Sequence, residues 1–322
     1  GCEDCVMDMS DLTLIFFNRD RQFTIPRLNT YYSHLNARKI IYDSSIKPIS
    51  TELIIELKSC GMEYVWLDSV PFLVAKNLAF SNVKTDYVMD CPDDDLFIID
   101  SIYKALTILV ENPEYVSCQG PETWYDPMSK TLFGCDTPGH YRHHLDNDLL
   151  VDDVIDRIRH EMHFFVGYAH CVHRTKYHLQ NNRFLLDNLE NRSGVWEEVI
   201  PGILSAIHGN RKVIPDRWVV RHRMLSRPGH AVDRICDGVG KETFFYGETE
   251  QILNRNTLNP ISSYLSNSTG IDIDESYGII KSVLETRKRN AMGKSKPVIE
   301  LRDNPELSTI VGLMNNTVDF YK

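Results

Sequence analysis

Between positions 12 and 119 the chain alternates short apolar runs with longer stretches whose apolar residues recur every three or four positions. The runs 12–17 (LTLIFF), 38–43 (RKIIYD), 62–67 (MEYVWL), 86–90 (ending YVMD) and 115–119 are too short for helices. They are rich in β-branched and aromatic residues, so they predict strands. The stretches 23–35, 51–60, 70–83 and 98–111 predict helices. Pro26 falls near the start of the first, where a missing N–H is harmless. Ser50 or Thr51 can cap the second, and Asn112-Pro113 ends the last. Strands alternating with helices imply βαβ units, hence an α/β, Rossmann-like, mostly parallel sheet with helices on both faces. Ligands of such sheets lie at the carboxyl ends of the strands. That rule selects Asn18, Arg19, Asp43 to Ser45, Asp68, and Cys91 to Asp95.

The rhythm breaks at 120–148, a segment rich in Pro, Gly, His and Asp that reads as a long loop or a small hairpin. Helical patterns return at 151–163, at 173–189 after an apolar run at 164–169, and at 195–208. Residues 218–222 read as an edge strand. The last hundred or so residues look mixed and more helical, with turns at Asn259-Pro260 and Gly270. No internal repeat is evident.

Composition narrows the function. The 322 residues are 42% hydrophobic and 25% charged, ordinary values for a folded protein. The formal charge of −10 argues against a nucleic-acid partner, which would call for a basic face. The eight cysteines are scattered, and Cys2/Cys5 is a lone CxxC with no second pair to complete a zinc site. The acidic start shows no apolar signal region, and no apolar run approaches the roughly 20 residues that span a bilayer. The expectation is a soluble cytoplasmic protein.

The chemistry concentrates at Asp93, Asp94 and Asp95, directly after the fourth predicted strand. Adjacent carboxylates repel unless a cation neutralises them. Mg²⁺ or Mn²⁺ typically takes one or two carboxylates together with phosphate oxygens. The triplet therefore suits an ion bridging protein and diphosphate. It also suits a plain acidic turn ahead of a helix.

Several pieces in order, DLTLIFFNRDR, IIYDSS, VAKNLAFSNVKTDYVMDCPDDDLF, ENPEYVSCQG, GYAHCVHRT, WEEVIPGILSAIHGN and WVVRHRM, resemble the GT-A-fold glycosyltransferases of the family 2 type. Within these they look like a bacterial subgroup with an Asp-Asp-Asp-x-Phe centre. The resemblance runs from about Asp11 to Arg223. It implies an N-terminal tail at 1–10, a GT-A catalytic domain at 11–225 and a mainly helical extension at 226–322. The catalytic domain would divide into a nucleotide-sugar half (11–120) and an acceptor half (121–225). It further implies sugar transfer, with inversion, from a nucleoside-diphosphate sugar to a glycan or lipid-linked glycan, as in cell-surface polysaccharide or lipopolysaccharide synthesis.

Residue by residue, Asp43 would meet the nucleobase near Asn18 and Arg19, and Lys76 would lie beside the base or diphosphate. Asp93 would face the ribose or donor sugar. Asp95 would hold the ion of this DXD motif, and Asp94 could share either role. The base would be an acid opening the helix at 195–208, where Glu197 and Glu198 stand. Stepping about 100° per residue puts Glu198 at the rim of the apolar face marked by Val195, Val199, Ile203 and Ile207, and Glu197 away from it. That favours Glu198. Arg221 and His222 would close over the diphosphate or the ion, and Trp124, Tyr125 and Tyr141 would lie over the acceptor. Several of these residues also have plain structural readings. Lys76 could be a surface lysine snorkelling from an apolar helix, and His222 a core histidine.

His160 and His163 are spaced i, i+3 rather than the i, i+4 of a zinc-protease helix, so that activity is set aside. The basic residues Arg287, Lys288 and Arg289 read as the cationic end of a helix, or as a peripheral contact with the inner face of a membrane. Two other functions compete. A nucleotidyltransferase would open with a glycine-rich phosphate loop, and 18–22 has no glycine. A non-catalytic nucleotide-sugar-binding or scaffold protein would keep the donor residues without a working base.

Overall fold

Every residue of the first strand, β1 (Leu12–Asn18), is buried, as expected of a central strand covered on both faces. The computed structural model describes residues 8–126, 131–134, 150–163, 167–188, 196–222, 255–290, 298–299 and 305–315. β1 pairs in parallel with β2 (Arg38–Asp43) on one side, and β2 pairs with β3 (Met62–Trp66). On its other side lies β4 (Tyr87–Pro92). After β5 (Leu96–Phe97) come β6 (Tyr115–Gln119), β7 (Glu122–Asp126), β8 (Thr131–Gly134), β9 (Val172–Arg174), β10 (Asn210–Val213), β11 (Val219–His222) and β12 (Val298–Ile299).

The main sheet has the order β10-β6-β9-β4-β1-β2-β3, with β9 antiparallel to both neighbours and the other pairs parallel. A second sheet runs β12-β8-β7-β11-β5.

Helices α1 (Ile25–Tyr32), α2 (Thr51–Ser59), α3 (Phe72–Ser81) and α4 (Ile99–Glu111) connect the early strands. Pro26 sits in the first turn of α1. The Ser50 hydroxyl accepts the Leu53 N–H at 3.2 Å and caps α2. Strand alternation sorts β1 onto two cores. Leu12, Leu14 and Phe16 pack with Ile25, Leu28, Leu57 and Ile102, under α1, α2 and α4. Ile15 and Phe17 pack with Ala79 and Phe80 of α3 and with Leu179 on the opposite face. The α/β layering expected from the sequence is present.

The later helices are α5 (Val154–His163), α6 (Thr175–Asn188), α7 (Trp196–His208), α8 (Arg255–Thr269), α9 (Ile273–Asn290) and α10 (Pro305–Asn315). A third core joins Ile158 and Met162, Leu185, Val199 to Ile207, Leu258 to Leu265, and Ile280 to Leu284. α10 instead returns to the first core with Leu307, Ile310 and Met314. Its Glu306 carboxylate accepts the Ile99 N–H at 2.7 Å and lies 2.6 Å from the Tyr31 hydroxyl, tying α10 to α1 and to the start of α4.

Three differences from the sequence reading have local causes. Residues 218–222 do not form an edge strand. β11 lies between β7 and β5, and Trp218 before it is fully buried, its indole N–H donating to the His170 carbonyl. β5, β9 and β10 are only two to four residues long, below the reach of any periodicity. The 120–148 segment begins as a hairpin, β7 against β8 with Trp124 opposite Phe133. The remainder, with Tyr141, lies outside the described residues.

Candidate active site

The carboxyl ends of β2, β1 and β4 lie side by side, with Asn18 paired to Asp43 and Phe17 to Pro92. The Asp triplet follows β4 directly, so three strand ends converge on one place. Asp43 and Asp93 are both fully buried there.

Asp93 is enclosed by the loop after β1. The Asn18 Nδ2–H donates to Asp93 Oδ2 at 2.6 Å, the Thr24 hydroxyl lies 3.4 Å from the same oxygen, and Arg21 forms an ion pair with Oδ1. Arg21 reaches Asp94 as well, at 2.8 Å, and Arg27 donates to the Asp93 backbone carbonyl at 2.8 Å. Asp20 has φ of 56°, a left-handed conformation uncommon outside glycine, and this turn aims Arg21 back toward the triplet.

Asp95 points the other way, toward the second sheet. It accepts from Arg221 Nε at 3.1 Å and from the His222 backbone N–H at 3.2 Å. Arg221 also reaches Glu122 at 3.3 Å, and its guanidinium stacks 4.5 Å above the Trp124 ring. His170 completes the cluster, with Nδ1 at 3.1 Å from Glu122 and Nε2 at 3.9 Å from Asp95.

The charges explain how these acids share a dry space. Burial pushes Asp93 up to about 7 against the pull of Arg21, and pushes Asp95 up to about 6 against Arg221. Burial acts on Asp94 too, but Arg21 and Arg221 overcome it and hold it below the ordinary range. Glu122 is drawn down to about 2, because Arg221 and His170 outweigh its burial. Burial would lower His170, yet Glu122 and Asp95 hold it above its usual value. Adjacent carboxylates are tolerable only with positive charge beside them. The protein supplies arginines.

The other expected residues fall as follows. Lys76 is no snorkelling surface residue, since its ammonium is buried, 2.7 Å from Asp90 and between the Phe72 and Phe80 rings. Arg19 is half-buried in the loop after β1, where Arg21 makes the contacts to the acids. His222 is 2% exposed, and Tyr125 is a core residue, fully buried with its hydroxyl bonded to Asn315. Trp124 is half-buried beneath Arg221. Glu197 and Glu198 stand in the first turn of α7, and their side chains lie outside the described residues.

Arg21, Glu122 and His170 were missed by the sequence reading. Arg21 lies inside the loop that the strand-end rule had selected. Glu122 opens β7 just beyond the end of β6, a lone acid with no motif around it. His170 belongs to the GYAHC piece but had no periodicity to mark it. Among the described residues, no group of three or more His, Cys, Asp or Glu side chains is arranged to hold a metal ion. Cys60, Cys91, Cys118 and Cys171 are free.

The sequence matches no protein-family model and no curated protein. Solved structures do resemble it. The crystal structure of S. aureus TarS 1–349 in complex with UDP-GlcNAc superposes with a TM-score of 0.50 at 11% identity, covering 85% of this chain and 72% of that one. TarS 1–349 alone gives 0.46 at 12% identity, and its complex with UDP gives 0.45 at 11%, each covering 91% of this chain and 99% of the other. The chain shares the TarS fold. At this identity the likeness reaches no further than the fold, and the TarS-like sheet is the scaffold on which the acid triplet is mounted. No helix among the described residues is long and apolar enough to cross a membrane.

Proposed function

We propose that this chain is a glycosyltransferase that moves a sugar from a nucleoside-diphosphate sugar to an acceptor hydroxyl. One observation carries the reading: Asn18, Asp43 and the acid triplet gather at three adjacent strand ends of a fold that TarS also has, and TarS has been seen with UDP-GlcNAc. In this reading Asp43 accepts an N–H of the base, and Asp93 and Asp94 face the ribose and sugar. Arg221 turns from Asp95 and Glu122 toward the diphosphate.

Mn²⁺ or Mg²⁺ fits as an ion that arrives with the donor. Both Asp95 oxygens carry one hydrogen bond, and each keeps a second lone pair. With no three-ligand cage among the described residues, phosphate oxygens must complete the shell. Asp95 would hold such an ion; Asp93, turned toward Asn18 and Arg21, and the buried His222 ring could join it only by reorienting. When bound, it neutralises charge on the departing diphosphate.

Glu198, in the first turn of α7, takes the proton of the attacking hydroxyl in an inverting displacement. Glu197 is its alternate. The acceptor is a glycan or lipid-linked glycan of a cell-surface polysaccharide, reached from the cytoplasmic face by peripheral contact.

The test is a thermal-shift panel of UDP, GDP and ADP with and without Mn²⁺, paired with donor turnover. One diphosphate should raise the midpoint only with the metal. Asp95→Ala should abolish that shift, and Glu198→Gln should keep it while losing transfer. If no nucleotide shifts the midpoint, donor recognition is refuted, and if Glu198→Gln transfers at full rate the base is elsewhere. Binding without donor turnover, with acceptors supplied, would favour the scaffold reading.

A further inference from the structure

Asp43 has no vacancy. A carboxylate offers about four lone-pair positions and donates nothing. Oδ1 accepts the Ser45 N–H at 2.9 Å and the Ser45 hydroxyl at 2.5 Å. Oδ2 accepts the Tyr64 hydroxyl at 2.7 Å and the Gln22 amide at 2.7 Å. A donor base that recognises Asp43 must therefore displace one of these four.

The four are not equally held. The Ser45 N–H is backbone, fixed two residues from Asp43. The Ser45 hydroxyl also accepts the Asp20 N–H at 2.7 Å, and the Tyr64 hydroxyl accepts the Ile49 N–H at 3.1 Å. Those hydroxyls are pinned on both sides. Gln22 is a half-buried side chain whose other bond is to the exposed Lys47 carbonyl, at 2.6 Å. Both of its bonds can be replaced by water once it swings out.

We infer that the Gln22 carboxamide occupies the place of the donor's nucleobase on Asp43 Oδ2, and that binding exchanges this amide for one N–H of the base. The inference rests on the donor reading above and deepens it. Gln22 becomes a specificity-determining residue, an internal competitor that any base must outbid. The geometry also selects the edge. Only one position on Oδ2 opens, because Ser45 keeps Oδ1 saturated. A base edge with a single N–H between two carbonyls, as in uracil, meets that vacancy. A guanine edge brings two adjacent donors, and the second finds no free acceptor.

The experiment titrates UDP and GDP, with Mn²⁺, into the wild-type chain, Gln22→Ala and Gln22→Asn by calorimetry, with thermal midpoints as a check on folding. Removing one competing hydrogen bond to a carboxylate should tighten UDP binding by about ten-fold in Gln22→Ala. Gln22→Asn, one methylene too short for Asp43, should tighten it too, and GDP should remain the weaker ligand in all three. A wild-type chain that binds UDP, with variants that bind it equally or more weakly, overturns the inference and leaves the donor reading intact. GDP binding more tightly than UDP overturns it as well. Should neither the wild type nor the variants bind UDP or GDP, the inference falls, and the donor reading falls with it only if ADP also leaves the thermal midpoint unmoved. UDP binding seen only in the variants would support it.

Discussion

At the scale of single residues, the site is a question of how buried acids are kept. Asp93 has no exposed surface, and Arg21 is its ion-pair partner while also bridging to Asp94. Removing one member of a buried pair strands the other's charge, typically at about 3 kcal/mol or more. Asp93, pushed up to about 7, can escape by taking up a proton, so Arg21→Gln is expected to lower stability by about 1–3 kcal/mol in urea denaturation at pH 8 and by less at pH 6. The double variant Arg21→Gln/Asp93→Asn should recover the part of the loss that Asp93 causes, while Asp94 keeps Arg221 as its remaining cation. If the two losses simply add, Arg21 does not serve Asp93. Arg21→Lys should rescue poorly, since an ammonium cannot fork to two carboxylates. Sequence reasoning found the acids and not this partner. Arg19 and Arg21 are two residues apart in one loop, and only the left-handed turn at Asp20 decides which guanidinium faces inward.

At the scale of elements, β9 and α6 carry a buried histidine pair. The His173 and His178 rings stack at 4.3 Å behind the sheet. Burial drives both well below the ordinary histidine value, helped by Arg211 for His173 and by His173 and Lys76 for His178. The unfolded chain takes up these protons near 6.5 while the native chain refuses them. Their contribution is thus full above about pH 6.5 and is lost as the pH falls below it. Denaturation midpoints measured from pH 7.5 to 4.5 should fall, and the decline should be shallower in His178→Gln. An unchanged slope would mean His178 is protonated in the native state. Neither β9 nor the stacking of His173 on His178 could be assigned from the sequence, because a three-residue strand shows no period and its pairing partners lie 54 or more residues away.

At the scale of the molecule, the chain closes on itself. α10 comes from the far end of the sequence, yet Leu307, Ile310 and Met314 lie in the first core, and Glu306 caps α4 across 207 residues of sequence. Ile310→Ala should destabilise the whole molecule by about 3 kcal/mol in a single cooperative transition. A separate low transition, with the main one unmoved, would show that α10 folds apart from the first core. The sequence expectation of a mainly helical extension beyond 225 is silent on where such helices pack.

The sequence by itself determined the parallel sheet, its flanking helices, and the placement of Asn18, Asp43 and the acid triplet at the strand ends. Those features follow from period and from residue order, and both are local. Tertiary structure alone decided which cations hold the acids, that Asp43 is saturated, that Glu122 and His170 join Asp95, and that β11 is an interior strand. Each of these depends on side chains distant in sequence meeting in a space without water, where the need for a partner is strong but the identity of the partner is set by packing.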